Sequence, residues 1–216
     1  MSFLSGHPLF RILAHRNTHR KAHRDAHRPL VVAGATSRTP WKRRAIWGIS
    51  SVGNMTTRTV ELLERGDLVA MAQCMAIDAD AFPYPSAQFG LIAASARQWV
   101  AREGAEEASD GPPGRVVGFL AGRVRRGAMH VEGLAVEGGA RRHGVGRALV
   151  RASVEYARAT RLRAVGLHVS VANLAAIALY EAEGFDVAGR LRDFYPPAAF
   201  GGQPDALEMR LRLYRP

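Results

Sequence analysis

Cysteine and long apolar runs are scarce in this sequence, and each absence excludes a class of protein. Cys74 is the single cysteine among 216 residues, so an intrachain disulfide cannot form. No run approaches the ~18 apolar residues of a membrane-spanning helix, and the N-terminus lacks the apolar core of a secretion signal. Since Cys74 lies in an apolar helical pattern, we expect it to be a buried small hydrophobe. These features predict a cytoplasmic globular protein without a membrane partner.

Acidic residues are almost missing from the first quarter of the chain. Residues 1–55 contain eight Arg, two Lys and one Asp, which gives +9 of the formal charge of +11. The other 161 residues contain 20 Arg and 18 acids, a net charge of only +2. We therefore predict a basic, disordered extension over residues 1–55 and one folded domain over residues 56–216.

The basic extension carries a His-Arg pair every four residues, with histidines at positions 15, 19, 23 and 27. Histidines four residues apart on a helix can bind a metal. No carboxylate or cysteine cluster completes such a site, so we predict no metal. The extension is interpreted as dispensable, and Met55 is a credible alternative start. A second interpretation is electrostatic attachment to nucleic acid or to the ribosome.

Hydrophobic periodicity in the rest of the chain predicts alternating strands and helices in the order βααβββαβαββ. Predicted strands cover residues 57–62, 99–101, 116–124, 129–136, 164–169, 185–191 and 207–213. Predicted helices run from Asp67 to about residue 79, from Ser86 to 95, from Val145 to about 160, and from Asn173 to 183.

A glycine-containing turn, Arg-Arg-His-Gly-Val-Gly-Arg at 141–147, joins a predicted strand to a predicted helix. The first turn of a helix has backbone N–H groups without intrahelical partners, which attract anions. Gly144 and Gly146 lack a Cβ, and Arg141, Arg142 and Arg147 add positive charge. The turn thus suits a phosphate or pyrophosphate, although it fits neither a Walker loop nor a Rossmann fingerprint. The alternative is a glycine-bearing helix start with solvated arginines.

The spacing Arg141-x-x-Gly144-x-Gly146 resembles the acetyl-CoA pyrophosphate loop of the GNAT N-acetyltransferase superfamily. The stretch 173–185, Asn-Leu-Ala-Ala-Ile-Ala-Leu-Tyr-Glu-Ala-Glu-Gly-Phe, resembles a second signature of that superfamily. The resemblance implies an α/β (α+β) fold, whose mixed central sheet has splayed central strands and helices on both faces. It also implies an N-acetyltransferase with acetyl-CoA as co-substrate. By position, the contacts with acetyl-CoA would be Leu134, Ala135, Val136, Arg141, Arg142, His143, Gly144, Val145, Gly146, Arg147 and Asn173.

Three further stretches, residues 80–85, 134–136 and 192–196, resemble the RimI-type N-terminal acetyltransferases of ribosomal proteins. This closer resemblance implies transfer to a protein α-amino group, with a ribosomal protein as the partner. The residues carried over to the acceptor slot are Phe82, Pro83, Tyr84, Phe194 and Tyr195. A small-molecule amine or a lysine side chain is the alternative acceptor. The non-enzymatic alternative is a ribosome- or nucleic-acid-binding protein that uses the basic extension.

The resemblance assigns catalytic roles to Tyr180 and, with one departure, to His168. Tyr180 matches the general acid that protonates the leaving thiolate; the alternative is a core tyrosine. RimI-type enzymes carry a glutamate base where this chain has His168, and an imidazole with a pKa near 6.5 can take the same proton. The alternative is a packed strand histidine. Glu132 is the next candidate base, although we expect it to be a solvated residue on a polar face.

Overall fold

One eight-stranded sheet organises the part of the chain described by the computed structural model. That part comprises residues 45–51, 54–64, 66–82, 97–104, 114–196 and 199–214. The strands are β1 Ala45–Ser51, β2 Asn54–Leu62, β3 Arg97–Glu103, β4 Arg115–Arg125, β5 Ala128–Val136, β6 Ala164–Ser170, β7 Asp186–Leu191 and β8 Ala206–Arg212. The α-helices are α1 Leu68–Ala81, α2 Val145–Ala159 and α3 Leu174–Ala182.

The strands lie side by side in the order β1-β2-β3-β4-β5-β6-β8-β7. Neighbours are antiparallel except β5 and β6, which are parallel, so the sheet is mixed as predicted. Alternation of side chains along the strands supplies an apolar layer to each face. One core cluster joins α1 to Phe119 and Ala135, and the other joins α2 and α3 to Leu120 and Leu134. Helices therefore cover both faces, which confirms the predicted fold class.

The structure differs from the sequence-based expectation at the start of the sheet. Residues Ala45–Ser51 form β1, paired antiparallel with β2 from Ala45↔Val60 to Ser51↔Asn54. The prediction of disorder is therefore wrong for residues 45–51, because backbone pairing can order a strand that carries no charge and no strong periodicity. Residues 1–44, with their His-Arg pairs, and the helix predicted from Ser86 lie outside the described residues.

Asp67 fixes the start of α1 and links it to the sheet. Its Oδ1 accepts a hydrogen bond from the N–H of Ala70 at 2.9 Å, the N-cap expected from the sequence. Its Oδ2 pairs with the buried Arg102 of β3 at 2.7 Å, and Glu61 of β2 pairs with the same guanidinium at 2.7 Å. The Ala70 hydrogen bond and Arg102 lower the pKa of Asp67, against a smaller opposing effect of burial. Arg102 thus has two carboxylate partners, which offset its burial.

Cys74 lies inside α1 with no exposed surface, and burial raises the pKa of its thiol to about 12. The prediction of a buried, unreactive cysteine agrees with this environment. No helix in the described residues is long and apolar enough to cross a membrane. The same residues contain no group of three or more His, Cys, Asp and Glu side chains arranged to hold a metal ion.

The pairing of β1 with β2 generates a prediction about truncation. We expect the fragment 55–216 to have a lower melting temperature than the fragment 45–216. Without β1, one edge of β2 loses its backbone hydrogen-bond partners. Several ladder hydrogen bonds contribute roughly 0.5–1.5 kcal/mol each, and a loss of ~2 kcal/mol lowers the melting temperature of a domain this size by about 4–8 °C.

Thermal unfolding of the two fragments followed by circular dichroism measures the difference. The full chain serves as the control for residues 1–44. Equal melting temperatures for the two fragments would show that β1 contributes nothing to stability.

Candidate active site

The opening between β5 and β6 defines the site. The two strands pair only from Ala128↔Ala164 to Val131↔Leu167, yet β5 continues to Val136 and β6 to Ser170. At the point of separation the register of β5 against β4 shifts, so that Glu132 is an extra residue between Val131 and Gly133. Such a bulge bends its strand and increases the local twist. The expected splay of these two strands is therefore present in the structure.

The glycine turn after β5 presents a helix N-terminus without a side-chain cap. Gly144 is the N-cap of α2, with φ +78°, and within the described residues this cap has no side-chain hydrogen bond. A Cβ built on Gly144 meets nothing within 4 Å, so the approach to this turn is open. The N–H of Ala148 is the first to bond back, to the carbonyl of Gly144. The N–H groups of residues 145–147 thus remain available to an anion.

Gly146 and the side chain of Arg147 also have contacts within the fold. A Cβ on Gly146 would lie 3.4 Å from Cδ2 of Leu179 and 3.8 Å from Cδ2 of Leu134, so this glycine allows α2 to pack closely against α3 and β5. Arg147 pairs with Glu183 at 3.0 Å, and Arg151 pairs with the same carboxylate at 2.8 Å. Arg147 is therefore tied to the end of α3, which contradicts its interpretation as a mobile charge at the loop. Arg142 and His143 are exposed.

Arg141 is tied to the end of β5. Its Nε donates a hydrogen bond to the carbonyl of Val136 at 2.9 Å. Because the next N–H, that of Glu137, bonds to Val117 in β4, strand alternation turns the main chain of Val136 towards the gap. The predicted strand-like pairing of Val136 with a cofactor arm must therefore share its carbonyl with Arg141. The side chains of Leu134 and Ala135 lie in the two opposite core clusters.

Tyr180 of α3 is fully buried, yet its hydroxyl has no hydrogen-bond partner among the described residues. Burial, and to a smaller extent the nearby Tyr195, raises the pKa of its hydroxyl. Tyr195 lies after β7 and is also buried, which raises its pKa. An unsatisfied buried hydroxyl is costly, so the position of Tyr180 fits a partner that enters the opening from outside the chain.

His168 lies on the other face of the sheet among aromatic rings. Its ring centroid is 4.8 Å from that of Phe194 and 4.8 Å from that of His130, and Phe194 is 5.0 Å from Tyr195. The structure thus brings together three of the predicted site residues, His168, Phe194 and Tyr195. His130 was missed by the sequence analysis, because its position beside His168 follows from the pairing of β5 with β6 and has no local sequence signal. Burial, then His168 and Arg125, lowers the pKa of His130 to about 4.

Glu132 is buried, whereas the sequence analysis expected a solvated side chain. It is 5% exposed, and its Oε2 lies 3.1 Å from Nη2 of Arg123 on β4. Burial raises its pKa, and Arg123 and Arg125 oppose that shift without cancelling it. The bulge explains the error, because an extra residue changes which face a side chain occupies.

Two of the remaining predicted residues lie at helix ends, Asn173 at the start of α3 and Phe82 at the end of α1. Asn173 is buried, and its Oδ1 accepts a hydrogen bond from the N–H of Ala176 at 3.2 Å, which makes it the N-cap of α3. Phe82 ends α1 and packs in the core cluster that contains Phe119 and Ala135. Pro83 and Tyr84 lie outside the described residues.

Residues 71–185, more than half of the chain, match the acetyltransferase (GNAT) family. The chain belongs to the GNAT acetyltransferase family. The predicted family and the predicted enzyme class are therefore confirmed.

Curated relatives include the ribosomal protein bS18-alanine N-acetyltransferase of Escherichia coli strain K12, which is 33% identical over 100 residues. That alignment covers 46% of this GNAT chain and 66% of the relative, just under two thirds.

Solved structures support the same fold. The ribosomal-protein-S18-alanine N-acetyltransferase from Escherichia coli superposes with a TM-score of 0.60 and 24% identity, over 74% of this chain and 96% of that one. NAA60 of Arabidopsis thaliana in complex with acetyl-CoA has a TM-score of 0.60 and 21% identity, over 72% and 99%. The NatC complex bound to Gag peptide and CoA has a TM-score of 0.56 and 24% identity, over 73% and 99%. At these identities the likeness concerns the fold.

The residues of this GNAT chain fit acetyl-CoA, because an uncapped helix start follows the end of β5 that has separated from β6. We expect Gly144→Glu to weaken CoA binding by at least tenfold, since it places a side chain and a negative charge at the anion site. Gly144→Asn is the matched control, because asparagine tolerates the positive φ and adds no charge.

Isothermal titration with CoA measures both affinities, and thermal unfolding checks that the two variants are equally folded. Equal affinities for the Glu and Asn variants would show that the anion does not bind at this turn.

Proposed function

We propose that this chain transfers the acetyl group of acetyl-CoA to the α-amino group of a protein N-terminus. The observation that carries the proposal is the opening between β5 and β6. The uncapped start of α2 follows the end of β5 that has separated from β6, and the buried Tyr180 hydroxyl has no partner among the described residues. His168, just past the last β5–β6 residue pair, lies in a group of aromatic rings with Phe194 and Tyr195. A ribosomal protein is the acceptor suggested by the Escherichia coli relative, and a cytoplasmic location stays a prediction.

On the cofactor side, the proposed contacts come from the turn 141–147 and the end of β5. The N–H groups of Val145, Gly146 and Arg147 would hold phosphate oxygens, with Arg142 and His143 exposed beside them. When bound, acetyl-CoA supplies an acetyl thioester. The main chain of Val136 would orient its arm, as an added strand does.

On the acceptor side, His168 is proposed to take a proton from the amine. An α-amino group has a pKa of about 8, against about 10.4 for a lysine side chain, so a modest base suffices for an N-terminal amine. Phe194 and Tyr195 would form walls of the slot for the first residues of the peptide. This difference in pKa, together with the aromatic walls, favours a protein N-terminus over a lysine side chain.

Tyr180 is proposed to give its hydroxyl proton to the leaving sulfur. Burial raises the pKa of Tyr180, which by itself would make it a weaker acid. A thiolate formed in the same buried surroundings is destabilised for the same reason. Burial therefore raises the pKa of both the Tyr180 hydroxyl and the thiol, and proton transfer from the hydroxyl to sulfur remains feasible.

A panel of acceptors tests the proposal. Free N-terminal peptides, N-terminally blocked peptides with an internal lysine, and small amines are assayed with acetyl-CoA, and we expect the free N-terminal peptides to react with the highest kcat/KM. Preference for blocked lysine peptides or for small amines would contradict the proposed acceptor.

Tyr180→Phe is the matched variant for the chemical step. It should lower kcat at least tenfold and leave CoA binding nearly unchanged, because acid catalysis contributes about 10²–10⁴-fold. Since the hydroxyl lacks a partner in the described residues, its removal should not lower the melting temperature. An unchanged kcat would show that Tyr180 is a core residue only.

The pH–rate profile tests His168. Its neutral form is the base, so kcat/KM should rise with pH through an acidic limb in the wild type. His168→Ala should remove this limb, and His168→Glu should move it to lower pH because a glutamate titrates near 4.3.

Two other titratable groups lie near His168 and are distinguished from it as follows. His130, with a pKa of about 4, titrates below it, and Glu208 stands opposite His168 on β8. A His168→Ala profile identical to that of the wild type would make Glu132, the buried carboxylate at the bulge, the next base to test.

A further inference from the structure

Six exposed arginines gather at the end of the sheet opposite the glycine turn. They come from the β4–β5 turn, the α2–β6 connection and the end of β8, and we call them the arginine end: Arg125, Arg126, Arg158, Arg161, Arg163 and Arg212. The turn that precedes β5 lies at this end, whereas Gly144 follows the other end of β5. Nine residues of strand separate the two, roughly 25–30 Å at 3.3 Å per residue.

Backbone hydrogen bonds hold the three segments together. The N–H of Arg163 donates to the carbonyl of Gly127 at 2.8 Å, and its guanidinium donates to the carbonyl of Arg126 at 3.1 Å. The N–H of Leu213 donates to the carbonyl of Arg163 at 3.0 Å. The hydroxyl of Tyr214 donates to the carbonyl of Arg158 at 2.8 Å. The arginine end is therefore built on fixed backbone.

None of the six arginines forms an ion pair with a carboxylate in the described part of the chain. Exposed arginines elsewhere do form pairs, such as Arg115 with Glu137, Arg151 with Glu183 and Arg190 with Asp205. The helix dipole favours a cation at Arg158, in the last turn of α2. It does not account for Arg125, Arg126 or Arg212, which lie on strands and a hairpin turn.

Two of these arginines occupy backbone positions that suit other residues better. Arg126 has φ +49° and precedes Gly127 at φ +74°, in a two-residue hairpin whose first position favours Asn or Gly. Arg161 has φ +56° just after the C-cap of α2, where Gly is preferred, and the N–H of Leu162 closes the turn on Ala157. Local geometry thus does not explain why arginine is present at either position.

The basic N-terminal segment joins the sheet at this same end. Ala45 pairs with Val60 near the end of β2. The end of β2 lies beside the start of β3. The start of β3 in turn lies beside the end of β4, since Arg97 pairs with Gly122. All the net charge of +9 found over residues 1–55 lies before Ala45. The first described residue after this basic stretch, Ala45, therefore lies at the same end of the sheet as the arginine end.

We propose that the arginine end binds the phosphate backbone of RNA. Arg125 on β4 and Arg212 on β8 are three strand spacings apart, about 14 Å at ~4.8 Å each. The guanidinium group matches phosphate oxygens in pairs, and a row of such groups along a sheet end fits a linear polyanion.

Salt dependence of RNA binding tests this surface in the full chain. The probe is a fluorescein-labelled 20-nucleotide single-stranded RNA, and the readout is fluorescence anisotropy between about 50 and 200 mM salt. The test variant is Arg158→Gln with Arg212→Gln, because neither position has a positive φ. The control variant is Arg115→Gln with Arg190→Gln, which removes the same charge from ion-paired positions elsewhere.

We expect the test variant to bind the RNA about tenfold more weakly and to lower the slope of log K against log salt by about 1.4, since each lost contact accounts for ~0.7. The control variant should keep the wild-type slope. Acetylation of a short free peptide should be the same in the test variant and the wild type, because the arginine end lies far from the opening. The proposal therefore stands or falls separately from the proposed acetyl transfer.

Three outcomes would overturn the proposal. The first is a wild-type slope in the test variant with an unchanged melting temperature, which would assign RNA binding to residues 1–44. The second is an equal loss in the control variant, which would show dependence on net charge alone. The third is binding to phosphatidylserine-containing vesicles without binding to the RNA, which would identify a membrane surface as the partner.

Discussion

The end of hydrogen bonding between two parallel strands is the constraint on which the site depends. β5 and β6 stay together while four residue pairs are in register and separate after Val131 and Leu167. The bulge at Glu132 allows β5 to stay paired with β4 while it turns from β6. Backbone groups of β5 then face an opening instead of a neighbouring strand. Without this separation, the main chain of Val136 would have a strand partner and the start of α2 would have no gap beside it.

Burial without full hydrogen bonding marks the interior of this opening. Tyr180 is fully buried with an unsatisfied hydroxyl among the described residues, and Glu132 carries a raised pKa despite its arginine partner. A fold usually satisfies such groups, because each costs stability. The proposed acetyl transfer would use this unsatisfied hydroxyl, because a bound substrate can supply its missing partner. The paired Arg102, with two carboxylates, shows how the same chain treats a buried charge that only supports the fold.

The two ends of the sheet differ in how their arginines are paired. Near the glycine turn, Arg147 and Arg151 share Glu183, so the anion site relies mainly on backbone N–H groups and the helix start. At the other end, six arginines lack carboxylate partners in the described residues, and Ala45, the first residue after the basic stretch, lies at the same end of the sheet. The near-neutral average over residues 56–216 hides this separation, because acids are concentrated in ion pairs elsewhere on the domain.

Local sequence determined seven of the eight strands, the three described α-helices and the glycine turn. Periodicity, Asp67 and Asn173 as N-caps, and Gly144 at a positive φ all act over a few residues. The two GNAT signatures also identified the family. Tertiary structure alone decided that Ala45–Ser51 joins the sheet, because its partner β2 supplies the order. It also placed Glu132 in the interior through a bulge, turned Arg147 towards Glu183, and set His130 against His168. Each of these outcomes depends on strand register and long-range pairing, which link residues far apart in the chain and leave no local pattern.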